Sequence, residues 1–339
     1  MFGEHPKVDK RYMLIDNHNR TINYLRLAVT DRCNLRCNYC MPAEGINFAH
    51  RDTLLSISEL TSLSKWMVEE GIDKIRITGG EPFVRKDLMV LLRSLSAMEG
   101  LGDISITTNA TLIGPYISEL KELGILNINL SLDAIHRETD ECITRRDQYD
   151  TVYNNLLRLI AEGFNVRINF IVLENQNIQD ILPILELQKH YPVSVRFLEE
   201  MPFNGGSKSF NRIEWNYKKI LEYVTSAYPD VEKLPSPATS TSINYKIKGH
   251  KGAFGLIPSF SRTFCGTCNR LRITATGDVI TCLYGKPKMN VREIMRGADA
   301  ETRLKKAIQN TIGHRERTGF DAQQAHANVF DNSMTSIGG

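Results

Sequence analysis

Six of the seven cysteines fall into two triplets. The stretch "TDRCNLRCNYCMP" (30–42) holds Cys33, Cys37 and Cys40, and "FCGTCNRLRITATGDVITC" (264–282) holds Cys265, Cys268 and Cys282. An odd number of cysteines, clustered in a chain of this size, favours metal ligation or catalysis over disulfides. A closed zinc site takes four ligands, usually in two pairs, and neither triplet has a local fourth. His18 and His50 lie nearest to the first triplet without finger-like spacing, and His250 is a distant candidate for the second. A four-iron, four-sulfur cubane held by three thiolates leaves one iron without a protein ligand, and that iron can bind a small chelating molecule. Two chemistries therefore stand: structural zinc completed from afar, or two clusters that each keep an open iron. Cys142 stands alone in a helical stretch and is expected to behave as a small hydrophobe.

The arginines form a second constellation. Arg270 and Arg272 are two apart on a predicted strand, so their side chains share a face, and paired planar guanidiniums suit a phosphate. Arg26 and Arg76 lie in the first two predicted strands, where inward positions of a barrel normally carry Val, Ile or Leu. Several arginines facing one cavity imply a highly anionic ligand. "GGEP" (79–82) reads either as a tight turn or as a close backbone approach to a ligand. His314 and His326, in a polar tail, are expected to face solvent.

These residues need a scaffold. The 339 residues are 42% hydrophobic and 24% charged, a soluble globular composition. The net charge of +3 is too small for wholesale nucleic-acid binding. Neither a spanning segment nor a signal-like apolar core is present, so the expectation is a cytoplasmic protein with no membrane or nucleic-acid partner. β-Rich runs start at "LRLAVT" (25–30), "KIRIT" (74–78), "DISITT" (103–108), "LNINLSL" (126–132), "NVRINFIV" (165–172) and "SVRFLE" (194–199). Amphipathic segments separate them, such as "ISELTSLSKWMVEEG", where Leu60, Leu63, Trp66, Met67 and Val68 favour one face and Gly71 can stop the helix. Alternation of this kind implies a parallel sheet with helices outside it, either open and doubly wound or curved. Cys33, "GGEP", Thr107, Thr108, Asn109, Ser131, Asp133, Glu199 and Met201 all follow or end strands, which favours a barrel-like sheet with its site on one rim.

The expected fold is α/β: a partial (β/α)6 TIM-type barrel over residues 1–201, with a smaller C-terminal α+β segment, 202–339, capping its open side. That segment carries strand candidates "NYKIKG" and "FGLIP", a hairpin turning at Gly277-Asp278, a helix over 299–312 and a terminal Gly338-Gly339.

The first triplet, with Tyr39 before its last thiol, and "GGEP" after the second strand resemble the radical S-adenosylmethionine superfamily. Together with "TTN", "NLSLDA", "RFLEEMPF", the Cys265–Cys282 segment and the terminal Gly-Gly, the chain resembles the GTP 3′,8-cyclase (MoaA) family of molybdenum cofactor biosynthesis. The resemblance implies two [4Fe-4S] clusters, held by Cys33, Cys37 and Cys40 and by Cys265, Cys268 and Cys282. It places Tyr39, Gly80, Ser131 and Met201 around S-adenosylmethionine. Arg26, Arg76, Thr107, Arg167, Arg270 and Arg272 would contact GTP, with Arg26, Arg270 and Arg272 in the catalytic set, and the C-terminal glycines would reach the active site. It further implies an external electron donor and a downstream cyclic pyranopterin monophosphate synthase taking the product; a homodimer is left open. Two departures stand out. Arg167 replaces the usual lysine, and Ala110 replaces the usual glycine after "TTN", from which that turn is expected not to need a positive φ.

Overall fold

The structure is a computed structural model, which describes residues 13–206, 213–325 and 332–338. Its elements follow the expected alternation: β1 (Tyr24–Ala28), α1 (Ile57–Glu69), β2 (Lys74–Thr78), α2 (Leu88–Ser96), β3 (Asp103–Thr108), α3 (Ile117–Glu122) and β4 (Asn127–Ser131). Two helices, α4 (Arg137–Thr144) and α5 (Tyr149–Ala161), then precede β5 (Asn165–Val172), α6 (Ile181–His190) and β6 (Ser194–Glu199). Beyond these lie α7 (Tyr217–Ala227), β7 (Val231–Lys233), β8 (Ile243–Ile247), β9 (Ala253–Ile257), β10 (Arg270–Ile273), β11 (Asp278–Ile280) and β12 (Met289–Asn290). The helices α8 (Val291–Met295), α9 (Ala300–Ile312) and α10 (Gly319–Ala325) follow.

Helix α1 shows how local sequence sets these limits. Ser56 and Glu59 form a reciprocal capping box at its start, and Gly71, with φ of +97°, turns the chain after it. Its buried face is Leu60, Leu63, Ser64 and Met67. Trp66 and Val68, expected on that face, sit at its margin, and Ser64 is admitted because its hydroxyl donates to the Leu60 carbonyl at 2.7 Å.

Strands β1 to β6 are parallel neighbours in sequence order, as right-handed crossover units require. The segment after residue 202 does not make a separate layer; it lengthens the same sheet at both edges. β10 pairs parallel to β1 and β9 pairs parallel to β6, giving twelve strands in the order β12-β11-β10-β1-β2-β3-β4-β5-β6-β9-β8-β7. The period-2 alternation of a strand then sorts the residues. Leu25, Leu27, Ile75, Ile77, Ile128 and Phe197 are wholly or almost wholly buried in the layer under the helices. The alternate positions face inward and are mostly polar, with Ile171 and Leu198 among the exceptions.

One carboxylate joins the old edge to the added strand. Glu199, 1% exposed at the end of β6, accepts from the backbone N–H groups of Tyr217, Phe260 and Ser261 at 2.9, 2.9 and 2.7 Å, and from the Ser261 hydroxyl at 2.8 Å. Glu199→Ala leaves these donors without an acceptor and is expected to lower stability by about 2–4 kcal/mol, with Glu199→Gln losing less. Denaturant midpoints check this.

Candidate active site

The first triplet sits in the loop after β1. Turns from the Cys40 and Met41 N–H groups to the Cys37 carbonyl, at 2.9 and 3.1 Å, fold it. Arg145, in the left-handed region at φ of +57°, donates to the Arg36 and Met41 carbonyls at 3.1 and 3.0 Å and holds the loop from beneath. The Cys33 sulfur meets the Leu35 N–H at 3.4 Å and Asn109 Nδ2 at 3.7 Å. Cys265 and Cys268 lie in a short turn after β9, and Cys282 follows β11.

All six cysteines line one cavity of about 650 Å³. Among the described residues no histidine lines it, and His250 lies elsewhere, with its ring edge-on to Tyr228 at 5.6 Å. Among the described residues no three His, Cys, Asp or Glu side chains are grouped to hold a single metal ion. His250, the distant candidate, is thus not placed to complete a zinc site at the second triplet. Burial raises the thiols of Cys37, Cys40 and Cys265 and pushes Cys33 to about 12 and Cys282 to about 11. Thiols so reluctant to ionise alone suit a site where iron supplies the compensating charge. Cys268 differs: burial acts on it too, but Arg315 and Arg270 bring it below the ordinary thiol value.

Tyr39, Gly80, Ser131 and Met201 line the same cavity. The Tyr39 hydroxyl donates to Asp133 Oδ2 at 2.7 Å, while Asp133 Oδ1 accepts from the Ile171 N–H at 2.7 Å. Burial pushes the Asp133 carboxyl up to about 6. In "GGEP", the Gly80 N–H donates to the Thr30 carbonyl at 2.9 Å, and a Cβ on Gly80 would collide with the Arg32 carbonyl oxygen. Gly80 therefore allows a close approach of two loops. Glu81, fully buried, accepts from the Phe83 N–H, the Thr108 hydroxyl and the Asn109 N–H at 3.1, 2.8 and 2.7 Å. Burial still drives its carboxyl up to about 7.

The cationic residues occupy the inner face in register. Arg272, Arg26 and Arg76 stand side by side across β10, β1 and β2, and Arg270, Tyr24 and Lys74 form the next row. Lys74, Arg76 and Arg270 surround the Tyr24 ring at 5.3, 5.5 and 5.9 Å from its centroid. Arg167 and Arg196 extend the constellation on β5 and β6. Burial and like-charged neighbours disfavour the charged forms: Arg26 is held well below the usual guanidinium value, Arg167 is lowered, Arg196 falls to about 9 and Arg272 to about 10. All stay protonated at neutral pH. The Tyr24 hydroxyl, Arg26 Nε, Thr107 Oγ1 and Arg196 Nε are buried with no hydrogen-bond partner among the described residues. Such a cage of positive charge and unanswered donors fits a polyanion.

Residues 27–187 match the radical SAM superfamily model, and residues 193–320 match the Molybdenum Cofactor Synthesis C model. A GTP 3′,8-cyclase from Listeria monocytogenes is 36% identical over 334 residues, covering 96% of this chain and 99% of the relative. The chain belongs to the GTP 3′,8-cyclase family. Molybdenum cofactor biosynthesis protein 1 of Bos taurus is 37% identical over 333 residues, 98% of this chain but 51% of that protein, so the chain spans about half the length of such animal relatives. Among solved structures, Streptococcus suis SuiB bound to S-adenosylmethionine has the same fold, with a TM-score of 0.61, 17% identity and coverage of 85% of this chain and 69% of that one.

Membership of the GTP 3′,8-cyclase family fits the spatial result: the six triplet cysteines, Arg26, Arg76, Arg167, Arg270, Arg272, Thr107, Tyr39, Gly80, Ser131 and Met201 all border one chamber, whereas Glu81, Pro82 and Glu199, expected on the same rim, do not line it. Arg196, Lys74 and Tyr24 were missed, although "SVRFLE" and "KIRIT" carry the same inward polar signal as Arg26 and Arg76. Two expectations need correction. Ala110 has φ of +60°, so the turn does take a left-handed residue; its N–H donates to the Thr108 hydroxyl at 2.9 Å and its carbonyl accepts from Asn155 Nδ2 at 2.8 Å, which offsets a cost of about 1–2 kcal/mol. Cys142 is exposed on α4 rather than packed as a small hydrophobe. His314 is exposed after α9, as expected, with its Nδ1 at 2.8 Å from the Asn310 carbonyl, while His326 lies outside the described residues. Gly339 is also outside them, but the Gly338 carbonyl accepts from the Thr78 hydroxyl at 2.8 Å and from Arg272 at 3.5 Å.

Proposed function

We propose that this chain is a radical S-adenosylmethionine enzyme that converts GTP to (8S)-3′,8-cyclo-7,8-dihydroguanosine 5′-triphosphate in molybdenum cofactor biosynthesis. The observation that carries this reading is that two cysteine triplets share one chamber whose wall is an in-register arginine array. Cys33, Cys37 and Cys40 would hold one [4Fe-4S] cluster, and Cys265, Cys268 and Cys282 the other. When bound, the clusters and S-adenosylmethionine supply hydrogen abstraction from C3′ of the ribose and the electron that completes ring closure at C8.

The protein's own part is binding and aim. Tyr39, Gly80, Ser131 and Met201 border S-adenosylmethionine, with Tyr39 fixed by its bond to Asp133. Arg26, Arg76, Thr107, Arg167, Arg270 and Arg272, joined by Arg196, grip the triphosphate and so orient the ribose. Holding the reacting atoms in contact is the main source of selectivity, because an unconstrained radical takes any nearby hydrogen. Residues 1–201 supply the barrel and residues 202–339 the second cluster and the Gly-Gly tail, although one sheet runs through both. The cytoplasm, an external electron donor and a downstream cyclic pyranopterin monophosphate synthase complete the reading.

Anaerobic purification should give a brown protein with about eight irons per chain. Incubation with GTP, S-adenosylmethionine and dithionite should yield the cyclised nucleotide, and a colourless zinc protein inert to all three would refute the proposal. Arg270→Ala and Arg272→Ala should each weaken GTP binding by about tenfold or more while S-adenosylmethionine still binds. Unchanged GTP affinity would remove the triphosphate from this edge of the sheet.

A further inference from the structure

The two triplets differ in how their sulfurs are surrounded. Among the described residues no cationic side chain donates to a sulfur of the first triplet; its partners include the Leu35 N–H, the Asn109 amide and the Ser333 hydroxyl, at 3.4, 3.7 and 3.7 Å, with Tyr39 at Cys37 and the Met334 and Thr335 backbone at Cys40, while Arg36 acts on Cys33 by charge alone. At the second, Arg315 Nη2 points at the Cys268 sulfur from 3.0 Å, and Arg270 Nη1 lies 3.8 Å from the same atom. Arg315 is 4% exposed. Its remaining donors are fixed: Nε to the Thr281 carbonyl and Nη1 to the Cys268 carbonyl, both at 3.0 Å. Every donor group of this guanidinium is thus turned toward the backbone and sulfur of the second triplet.

The guanidinium is held by a device from the other end of the chain. Asp16, 4% exposed, binds Arg20 through Nε at 2.6 Å and lies 3.6 Å from Arg315 Nη1. Arg20 in turn donates to the carbonyls of Cys265, Arg317 and Glu316 at 2.9, 2.8 and 3.0 Å. His18 Nε2 meets the Arg315 carbonyl at 2.9 Å. Residues 16–20 therefore strap the 315–317 loop onto the Cys265–Cys268 turn. A buried arginine kept within hydrogen-bond reach of a sulfur, with the one carboxylate paired to it among the described residues set farther off and shared with Arg20, leaves net positive charge beside that sulfur.

We propose that Arg315 is a positioning residue that raises the reduction potential of the second cluster, and that Asp16 limits the rise. The inference rests on the proposed function, which puts a cluster at Cys265, Cys268 and Cys282. One-electron reduction adds a negative charge to the cluster, so a cation donating to a ligand sulfur favours the reduced state, and charge and hydrogen bonds at the sulfurs are established controls on iron–sulfur potentials. The electron comes from the external one-electron donor. Among the described residues no such cation donates to the first triplet, so the first cluster serves as the internal reference.

The test is an anaerobic redox titration of the reconstituted full chain, followed by electron paramagnetic resonance of both clusters. Arg315→Gln is expected to move the second cluster to more negative potential by at least a tenfold change in its reduction equilibrium, ~59 mV for one electron, with the first cluster unmoved. Arg315→Lys, which keeps the charge and loses the fork, should shift less in the same direction. Asp16→Asn should shift the second cluster the opposite way, a result that simple loosening of the loop does not produce. If Arg315→Gln cannot hold the second cluster, the sign of the Asp16→Asn shift decides. An unmoved second potential in a protein with about eight irons, or equal shifts of both clusters, overturns this inference alone. Wild-type protein without a second cluster overturns the proposed function and this inference together.

Discussion

Arg26→Met is expected to make the protein more stable and nearly inactive. Arg26 stands in the middle of its row, with Arg272 on one side and Arg76 on the other, and its Nε is buried with no hydrogen-bond partner among the described residues. Burial and those neighbours hold it well below the usual guanidinium value. Methionine has similar length and no charge to desolvate, so the exchange removes a repulsive centre and should raise stability by about 1–3 kcal/mol. The same exchange removes the donor best placed to reach a triphosphate from the barrel floor. Loss of such a charge-assisted contact costs about 3–4 kcal/mol of transition-state binding, or about 10²–10³-fold in turnover. Denaturant unfolding and product formation, measured on one preparation, test both halves. Lower stability with undiminished turnover would make Arg26 a structural residue. The strain is thus stored where the ligand is to bind, as expected of a preorganised anion site.

Much of this arrangement is legible in the sequence because it follows from periodicity. "KIRIT", "DISITT", "NVRINFIV" and "SVRFLE" coincide with β2, β3, β5 and β6 to the residue. Polar residues at alternate positions of such strands can only line the inner face, which is why Arg26 and Arg76 were identifiable before any geometry. The same rule applied to "SVRFLE" would have delivered Arg196. What periodicity cannot supply is the partner of a short strand. β9 and β10 are five and four residues long and separated by a cysteine turn, yet they pair with β6 and β1 at opposite edges of the sheet. Nothing local in "FGLIP" or "RLRI" specifies that choice, since it is made by long-range packing and by anchors such as Glu199. Ala110 shows a different limit. Its left-handed backbone is imposed by the Thr108 and Asn155 contacts, so residue type alone predicted the reverse. The Arg315 contact to Cys268 is the extreme case, joining positions 47 residues apart through a strap that begins near residue 16.

Gly80→Ala is the complementary experiment, aimed at the other ligand. The loop after β2 lies directly on the loop after β1: the Gly80 N–H reaches the Thr30 carbonyl at 2.9 Å and the Glu81 N–H reaches the Arg32 carbonyl at 2.8 Å. A methyl group at Gly80 would meet the carbonyl oxygens of both Arg32 and Asp31, backbone atoms that cannot swing aside as a side chain does. Glu81 cannot retreat either, because Phe83, Thr108 and Asn109 all donate to its buried carboxylate. The displacement must therefore pass to the segment that leads into Cys33. S-Adenosylmethionine affinity is expected to fall about 100-fold, ~2.7 kcal/mol, with loss of cofactor cleavage. GTP affinity should stay within about threefold, ~0.7 kcal/mol, because the arginine rows lie within paired strands, before the two loops that collide. Calorimetric titration of both ligands into the anaerobic variant separates the outcomes. Unaltered S-adenosylmethionine binding would detach "GGEP" from the cofactor and return it to a turn, whereas equal loss of both ligands would mean that the collision spreads through the sheet instead of stopping at the rim.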